Sequence, residues 1–269
     1  MTAAAEAGGC SYNESMAETG KDARPPLLQA NAALFLDFDG TIAAYASHPD
    51  GVTVEESLPA LLAGLRERLS GAVALITGRR LAALDAITGP PRYAGAGLHG
   101  LEWRLATGKT HSSGNPVGAS RIVKALQERF ASDPRIVVED KGAGVALHWR
   151  RAPEKAEACI AAMREIAKTR EFEVLRGHAV VEARPRGVHK GKALRTLAAH
   201  APFAGRKPVF VGDDRTDEDG FRAALVLGGY GVKVGPEPSE ARYRLGSVKA
   251  VHDWLAKSLA ALERTAAPK

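Results

Sequence analysis

Apolar and polar positions along the chain switch between a short strand-like rhythm and a helical one. Leu34-Phe35-Leu36 is an apolar run that ends abruptly in Asp37-Phe38-Asp39. Such a run predicts a buried parallel strand over 34–38. A polar loop follows through His48-Pro49-Asp50. Leu58, Leu61, Leu62, Leu65 and Leu69 then recur at helical spacing, which predicts a helix over 55–70 with Pro59 in its first turn. Ala72-Val73-Ala74-Leu75-Ile76 reads as a second buried strand, ending in Thr77-Gly78-Arg79. The next helix, 80–87, is stopped by Gly89-Pro90-Pro91. A glycine-rich third strand is expected over 93–98, and a hairpin over 102–111 turning at Thr107-Gly108.

The rhythm then changes. Residues 120–130 pattern as an amphipathic helix, 135–140 and 143–150 as strands, 153–169 as a helix, and 172–175 and 179–183 as strands. This βαβ-like block of roughly 75 residues is the size of a small domain. After it come a helix over 191–200, a strand over 208–211 ending in Gly212-Asp213-Asp214, a helix over 217–226, a strand over 230–234 and a closing helix over 248–262. The expected fold is α/β: a doubly wound, Rossmann-like parallel sheet formed by 31–108 and 185–269, with an inserted α+β cap over 109–184. Residues 1–30, rich in Ala, Gly, Ser and charge, read as a mobile N-terminal extension.

The net charge of +6 adds little, because 37 basic residues are scattered among 31 acidic ones. No basic run with interleaved aromatics points to nucleic acid. A diffuse positive balance suits a small anionic substrate. No apolar run approaches membrane-spanning length, and the N-terminus lacks the basic and apolar regions of a secretion signal. Cys10 and Cys159 lie far apart and are expected as free thiols in a reducing cytoplasm, although one disulfide stays open.

The chemistry sits at the ends of the core elements, where open α/β sheets place their ligands. In an extended strand Asp37 and Asp39 share a face, so their carboxylates would converge, which requires a cation or a proton between them. Thr77, Lys190 and the Asp213/Asp214/Asp217 group end the other elements. A nucleophilic carboxylate, an acid, a lysine and hydroxyl to offset phosphoryl charge, and a Mg²⁺ site of hard oxygens make up the kit for phosphoryl transfer. Taken singly, each has a plainer reading. Asp37 and Asp39 suit a turn, Thr77 and Asp217 suit helix caps, and Lys190 suits a solvated surface.

Taken together, Asp37-Phe38-Asp39-Gly40-Thr41, Ile76-Thr77-Gly78-Arg79, His189-Lys190-Gly191 and Gly212-Asp213-Asp214-Arg215-Thr216-Asp217 resemble, in order and spacing, the four motifs of the haloacid dehalogenase superfamily of phosphatases. Within it the chain is similar, from about residue 30 to 256, to the trehalose-6-phosphate phosphatases. Gly97-Leu98-His99-Gly100, Glu139-Asp140-Lys141-Gly142, Leu147-His148-Trp149-Arg150 and Val181-Glu182-Ala183-Arg184-Pro185 carry that likeness. The resemblance implies Mg²⁺-dependent hydrolysis of trehalose 6-phosphate to trehalose and phosphate, within trehalose biosynthesis. It implies an aspartyl-phosphate on Asp37 and general acid and base work by Asp39. Thr77 and Lys190 would bind phosphate. Asp37, Asp39 through its carbonyl, and Asp213 would hold the metal, with Asp214 or Asp217 in support. Glu139, Lys141 and Glu182 would grip the sugar, with Arg79 and His99 also assigned to substrate. A functional link to a trehalose-6-phosphate synthase follows from the same likeness. Two rivals remain open at this point: another sugar phosphate such as sucrose 6-phosphate, and a catalytically dead domain that regulates a synthase.

Overall fold

A computed structural model of the chain describes residues 22–45, 52, 54–90, 92–112, 116–177 and 179–266. The segment His48-Pro49-Asp50, Cys10 and the first 21 residues of the expected extension lie outside these. The first half of the core contains β1 (Ala32–Leu36), α1 (Leu58–Arg68), β2 (Val73–Ile76), α2 (Leu81–Thr88), β3 (Ala94–Gly97), β4 (Glu102–Arg104) and β5 (Thr110–Ser112). The insertion contains α3 (Pro116–Arg129), β6 (Val137–Asp140), β7 (Val145–His148), α4 (Ala156–Ile166), β8 (Phe172–Gly177) and β9 (Val180–Pro185). The second half of the core contains α5 (Lys190–Ala198), β10 (Lys207–Gly212), α6 (Glu218–Val226), β11 (Tyr230–Val234), β12 (Tyr243–Leu245) and α7 (Val248–Ala266).

The large sheet runs β12-β11-β10-β1-β2-β3-β4-β5. From β12 to β3 every pairing is parallel, and β4 and β5 add an antiparallel edge. It is the expected doubly wound core, with a mixed rather than wholly parallel sheet. β1 is buried along its whole length, as a strand covered on both faces must be. The chain winds outward from β1 through β2 and β3, and later from β10 through β11 and β12. The reversal of direction therefore falls between β1 and β10, and it opens the crevice that such sheets use for ligands.

The inserted sheet runs β6-β7-β9-β8, and all its pairings are antiparallel. The expected βαβ unit is thus split: β7 and β8 run the same way, but β9 lies between them. The alternating burial of β9 explains the pairing. Val181 and Ala183 point into a separate apolar core with Leu126, Leu147, Ile160 and Met163, and Glu182 points to the other face. One-sided burial is the mark of an antiparallel sheet. The expected boundary at 108/109 cuts the β4–β5 hairpin, which belongs wholly to the large sheet.

Two features depart from the expected organisation. Residues 22–30, assigned to the mobile extension, are held on the core. Leu28 is buried and its N–H donates to Ser258 Oγ at 3.2 Å. Trp254 Nε1 donates to the Pro26 carbonyl at 3.0 Å, and Asp22 pairs with Arg244 at 2.7 Å. Strand β12 is also new: three residues with an arginine at the centre give too short a pattern to register as a strand.

Candidate active site

Strand β1 ends at Leu36, one residue before Asp37. The Asp37 N–H still donates to the Val211 carbonyl of β10 at 2.9 Å, so the backbone of the first carboxylate is fixed by the neighbouring strand. The chain then turns sharply, with Ile42 and Ala43 both donating to the Phe38 carbonyl at 3.0 Å. Gly40 has φ +79°, and a Cβ there would collide with the Asp213 carboxylate. Only glycine allows both the turn and the approach.

Asp213 follows β10. Its carboxylate accepts from Thr41 Oγ1 at 3.1 Å and from Tyr45 OH at 2.9 Å. Asp217 is fully buried. One of its oxygens accepts from the backbone N–H groups of Asp213 and Asp214 at 3.1 and 2.9 Å. The other meets Lys190 Nζ at 2.7 Å. Lys190, the first residue of α5 and 3% exposed, also reaches Asp37 Oδ1 at 2.8 Å. Asp37, Asp213 and Asp217 each offer an oxygen within 4.8 Å of the others. Burial raises all three carboxyls. Asp37 is pushed up to about 7 by burial and by Asp213 against the pull of Lys190. Asp217 is pushed up to about 7 by burial and by Asp37, and Asp213 is raised by burial and by Asp217. Burial alone would lower Lys190, but Asp217 and Asp37 outweigh it and hold the ammonium charged. Three crowded hard-oxygen donors with one cation between them fit a divalent metal ion, whose charge would relieve their mutual repulsion.

Asp214, expected with Asp217 as a possible support for the metal, stands outside this group of three, as does the Asp39 carboxylate, whose expected contribution to the metal is its carbonyl. Because β1 has ended, the alternation that would set Asp39 beside Asp37 no longer applies. The Asp39 carboxylate is instead gripped bidentately by Arg79, with Nε to Oδ2 at 2.7 Å and Nη2 to Oδ1 at 2.8 Å. Asp214 is exposed at the turn into α6. Thr77 is buried at the end of β2. Its hydroxyl accepts from the Arg79 N–H at 3.1 Å, closing its own turn rather than capping α2, so its proton is left to donate elsewhere.

Above these residues lies the polar face of the inserted sheet. Glu139, Ala146, Glu182 and Leu175 are in register across four strands. Lys141 Nζ donates to Glu182 at 2.7 Å and lies 3.9 Å from Glu139, and His148 Nε2 meets Glu139 at 2.9 Å. Burial would raise Glu182, but His99 and Lys141 hold it well below the usual carboxylate range. His99 belongs to the core, in a turn where Leu98, His99 and Gly100 all have positive φ. Its N–H donates to the Thr77 carbonyl at 3.0 Å, and its Nε2 lies 3.6 Å from Glu182 across the interface. Burial pushes its imidazole below the ordinary range despite Glu182. Among the described residues its buried Nδ1 has no hydrogen-bond partner. Glu139, Lys141, Glu182 and His99 therefore come together, whereas Arg79 faces Asp39.

Sequence reasoning does not reach Tyr45 or Lys233. Tyr45 carries no signal beyond its place after the first motif. Lys233 does: it is a lysine inside an otherwise apolar buried strand.

The family model for trehalose-phosphatase matches residues 35–249. The chain is 40% identical over 241 residues to the trehalose-6-phosphate phosphatase of Escherichia coli (strain K12), covering 89% of this chain and 91% of that protein. The chain belongs to the trehalose-phosphatase family. A probable trehalose-phosphate phosphatase of Sinorhizobium fredii (strain NBRC 101917 / NGR234) is 41% identical over 221 residues, covering 81% of this chain and 83% of that one. In fold the chain is similar to the C-terminal domain of the C. albicans trehalose-6-phosphate phosphatase, with TM-score 0.76 at 22% identity over 91% of this chain and 99% of that chain. A trehalose-phosphatase is a phosphatase enzyme, and the core is of the haloacid dehalogenase type expected from its motifs.

Proposed function

We propose that this trehalose-phosphatase hydrolyses trehalose 6-phosphate to trehalose and phosphate in trehalose biosynthesis, with Mg²⁺ as its metal. The observation that carries this reading is the meeting of Asp37, Asp213, Asp217 and Lys190 at the reversal point of the large sheet, opposite the Glu139–Lys141–Glu182 group.

Asp37 is the nucleophile. One of its carboxylate oxygens attacks phosphorus as the bond from phosphorus to the sugar oxygen breaks, and Asp39 gives that oxygen a proton. Water then attacks the aspartyl-phosphate, Asp39 takes a proton from it, and Asp37 is regenerated as phosphate leaves. Lys190 and the Thr77 hydroxyl meet the phosphoryl oxygens as charge develops there. Asp37, the Asp39 carbonyl and Asp213 would hold Mg²⁺, with Asp217 in support. When bound, the ion neutralises phosphoryl charge and orients the group for in-line attack. Arg79 must release Asp39 before that carboxyl can serve as an acid. The phosphate, a competing anion, is the group able to draw the guanidinium away.

Residues 116–185, which follow the hairpin, act as the cap that selects the sugar. Glu139, Lys141 and Glu182 suit a hydroxyl-rich ligand, because charge-assisted hydrogen bonds are strong and directional. His99 completes that subsite from the core. The expected source of substrate is a trehalose-6-phosphate synthase, and the cytoplasm is the expected setting. The only thiol among the described residues, Cys159, is buried and free, and no helix there is long and apolar enough to cross a membrane.

The test is phosphate release with Mg²⁺ from trehalose 6-phosphate, sucrose 6-phosphate, glucose 6-phosphate and mannose 6-phosphate. A strong preference for the first supports chemistry and cap together. Preference for another keeps the core chemistry and removes the cap assignment. No release from any of them sinks the catalytic reading.

A further inference from the structure

Lys233 is the fourth residue of β11 and pairs in parallel register with Gly212, the last residue of β10. Its side chain is 3% exposed, between the buried Val232 and Val234. A lysine inside a parallel sheet is costly to bury unless its ammonium is fully bonded. Here its three protons meet three acceptors: the carbonyls of Asp213 and of Val234, the latter at 3.0 Å, and Glu237 Oε2 at 3.4 Å. Two of the three are neutral backbone groups, and Glu237 is largely exposed. The ammonium therefore works mainly as a clamp on the backbone rather than as half of an ion pair.

The carbonyl it holds is that of Asp213. With this contact every polar group of Asp213 is fixed. The N–H is bonded to Asp217, the two carboxylate oxygens to Thr41 and Tyr45, and the carbonyl to Lys233. With its N–H and its carbonyl both held, the backbone of Asp213 is fixed on either side, and this fixes the direction of the Cα–Cβ bond that carries the carboxylate. We propose that Lys233 is a positioning residue of the cation site, fixing the Asp213 peptide so that its carboxylate is aimed at Asp37. This rests on the reading of Asp213 as a metal ligand.

Groups that orient metal ligands from behind change metal affinity by about ten- to a hundred-fold when removed. The experiment is calorimetric titration of the metal-free protein with MgCl₂, for the wild type and for Asp213→Asn, Lys233→Met and Lys233→Gln. Unfolding temperatures of the same four proteins are measured without and with Mg²⁺. Lys233→Met is expected to weaken Mg²⁺ binding by about ten-fold or more and to shrink the rise in unfolding temperature that Mg²⁺ brings. Lys233→Gln, which keeps two N–H donors, should lose less, and it carries the comparison if the methionine variant does not fold. In turnover, the Mg²⁺ needed for half-maximal rate should rise, with much of kcat recovered at saturating Mg²⁺. If Asp213→Asn leaves Mg²⁺ affinity unchanged, the ligand reading fails. If Asp213→Asn weakens binding but both Lys233 variants bind Mg²⁺ as the wild type does, Lys233 is structural only and the proposal is overturned.

Discussion

Lys190 touches two of the three clustered carboxylates, and its removal separates two roles. Lys190→Met leaves Asp37 and Asp217 facing each other without its ammonium, and it removes the donor proposed for the phosphoryl oxygens. Turnover should fall by about a hundred- to a thousand-fold, the scale of one lost donor to a developing oxyanion. Asp37→Asn should abolish turnover, because an amide is not a competent nucleophile; steady-state phosphate release measures both. The raised carboxyls also fix a pH dependence. Asp37 and Asp217 sit near 7 in the folded, metal-free protein, against an ordinary 3.8. Between these values the folded state holds more protons than the unfolded state. Metal-free stability should therefore fall as pH rises from about 4 to about 7. A cation competes with those protons, so Mg²⁺ affinity should climb across the same window and level off above it. Thermal unfolding with and without MgCl₂ should show the largest metal effect above about pH 7 and little at about pH 5. At this scale the sequence reveals residue identities better than contacts. Asp37, Thr77, Lys190 and Asp213 are legible as a set, but the pairing of Asp39 with Arg79 is not, because it depends on β1 ending at Leu36. The roles of Asp214 and Asp217, left open by spacing, separate only when one side chain is buried and the other exposed.

The elements were legible wherever burial was two-sided or strictly helical. The apolar runs of β1 and β2 and the leucines of α1 lie within a few residues of where periodicity predicts them. Short strands were not legible: β12, with its central arginine, depends on pairing with β11 rather than on any pattern of its own. In the inserted sheet, alternation does more than identify strands. It puts Val181 and Ala183 on helices α3 and α4 and leaves Glu182 on the face turned to the core. Substitution on that face should affect recognition and spare the chemistry. Glu182→Gln removes the charge that Lys141 and His99 both meet. It should reduce kcat/KM for trehalose 6-phosphate by about ten- to a hundred-fold, the loss of a charged hydrogen bond. Hydrolysis of a small phosphate ester that cannot reach the cap should change little. Equal losses on both substrates would place Glu182 in the chemistry instead.

For the whole molecule, the described contacts between the sheets are few and local. Arg80 Nη2 donates to the Asp140 carbonyl at 2.7 Å, His99 faces Glu182, and Leu98, Leu101, Ala143 and Val188 form a small apolar cluster separate from both larger cores. A joint this limited is suited to opening and closing over a substrate. Arg80→Ala, at an exposed contact, should raise KM for trehalose 6-phosphate several-fold while leaving kcat and the unfolding temperature close to wild type. A matching fall in unfolding temperature would mean that the contact only holds the fold together.

The crevice between β1 and β10 also governs how the molecule comes to exist. Thr41 and Asp213 touch although 172 positions separate them. Closing so long a loop adds little thermodynamic penalty, since that penalty grows only with the logarithm of length, at about 0.6 kcal/mol per doubling. In time the separation matters far more. As the ribosome works from the N-terminus, Asp37 emerges early and must wait until β10 has been synthesised and laid beside β1. The inserted sheet, with its own apolar core, is complete before that strand appears. The inserted sheet is therefore ready before the carboxylate cluster, and the nascent chain carries it complete while Asp37 does not yet have its partners.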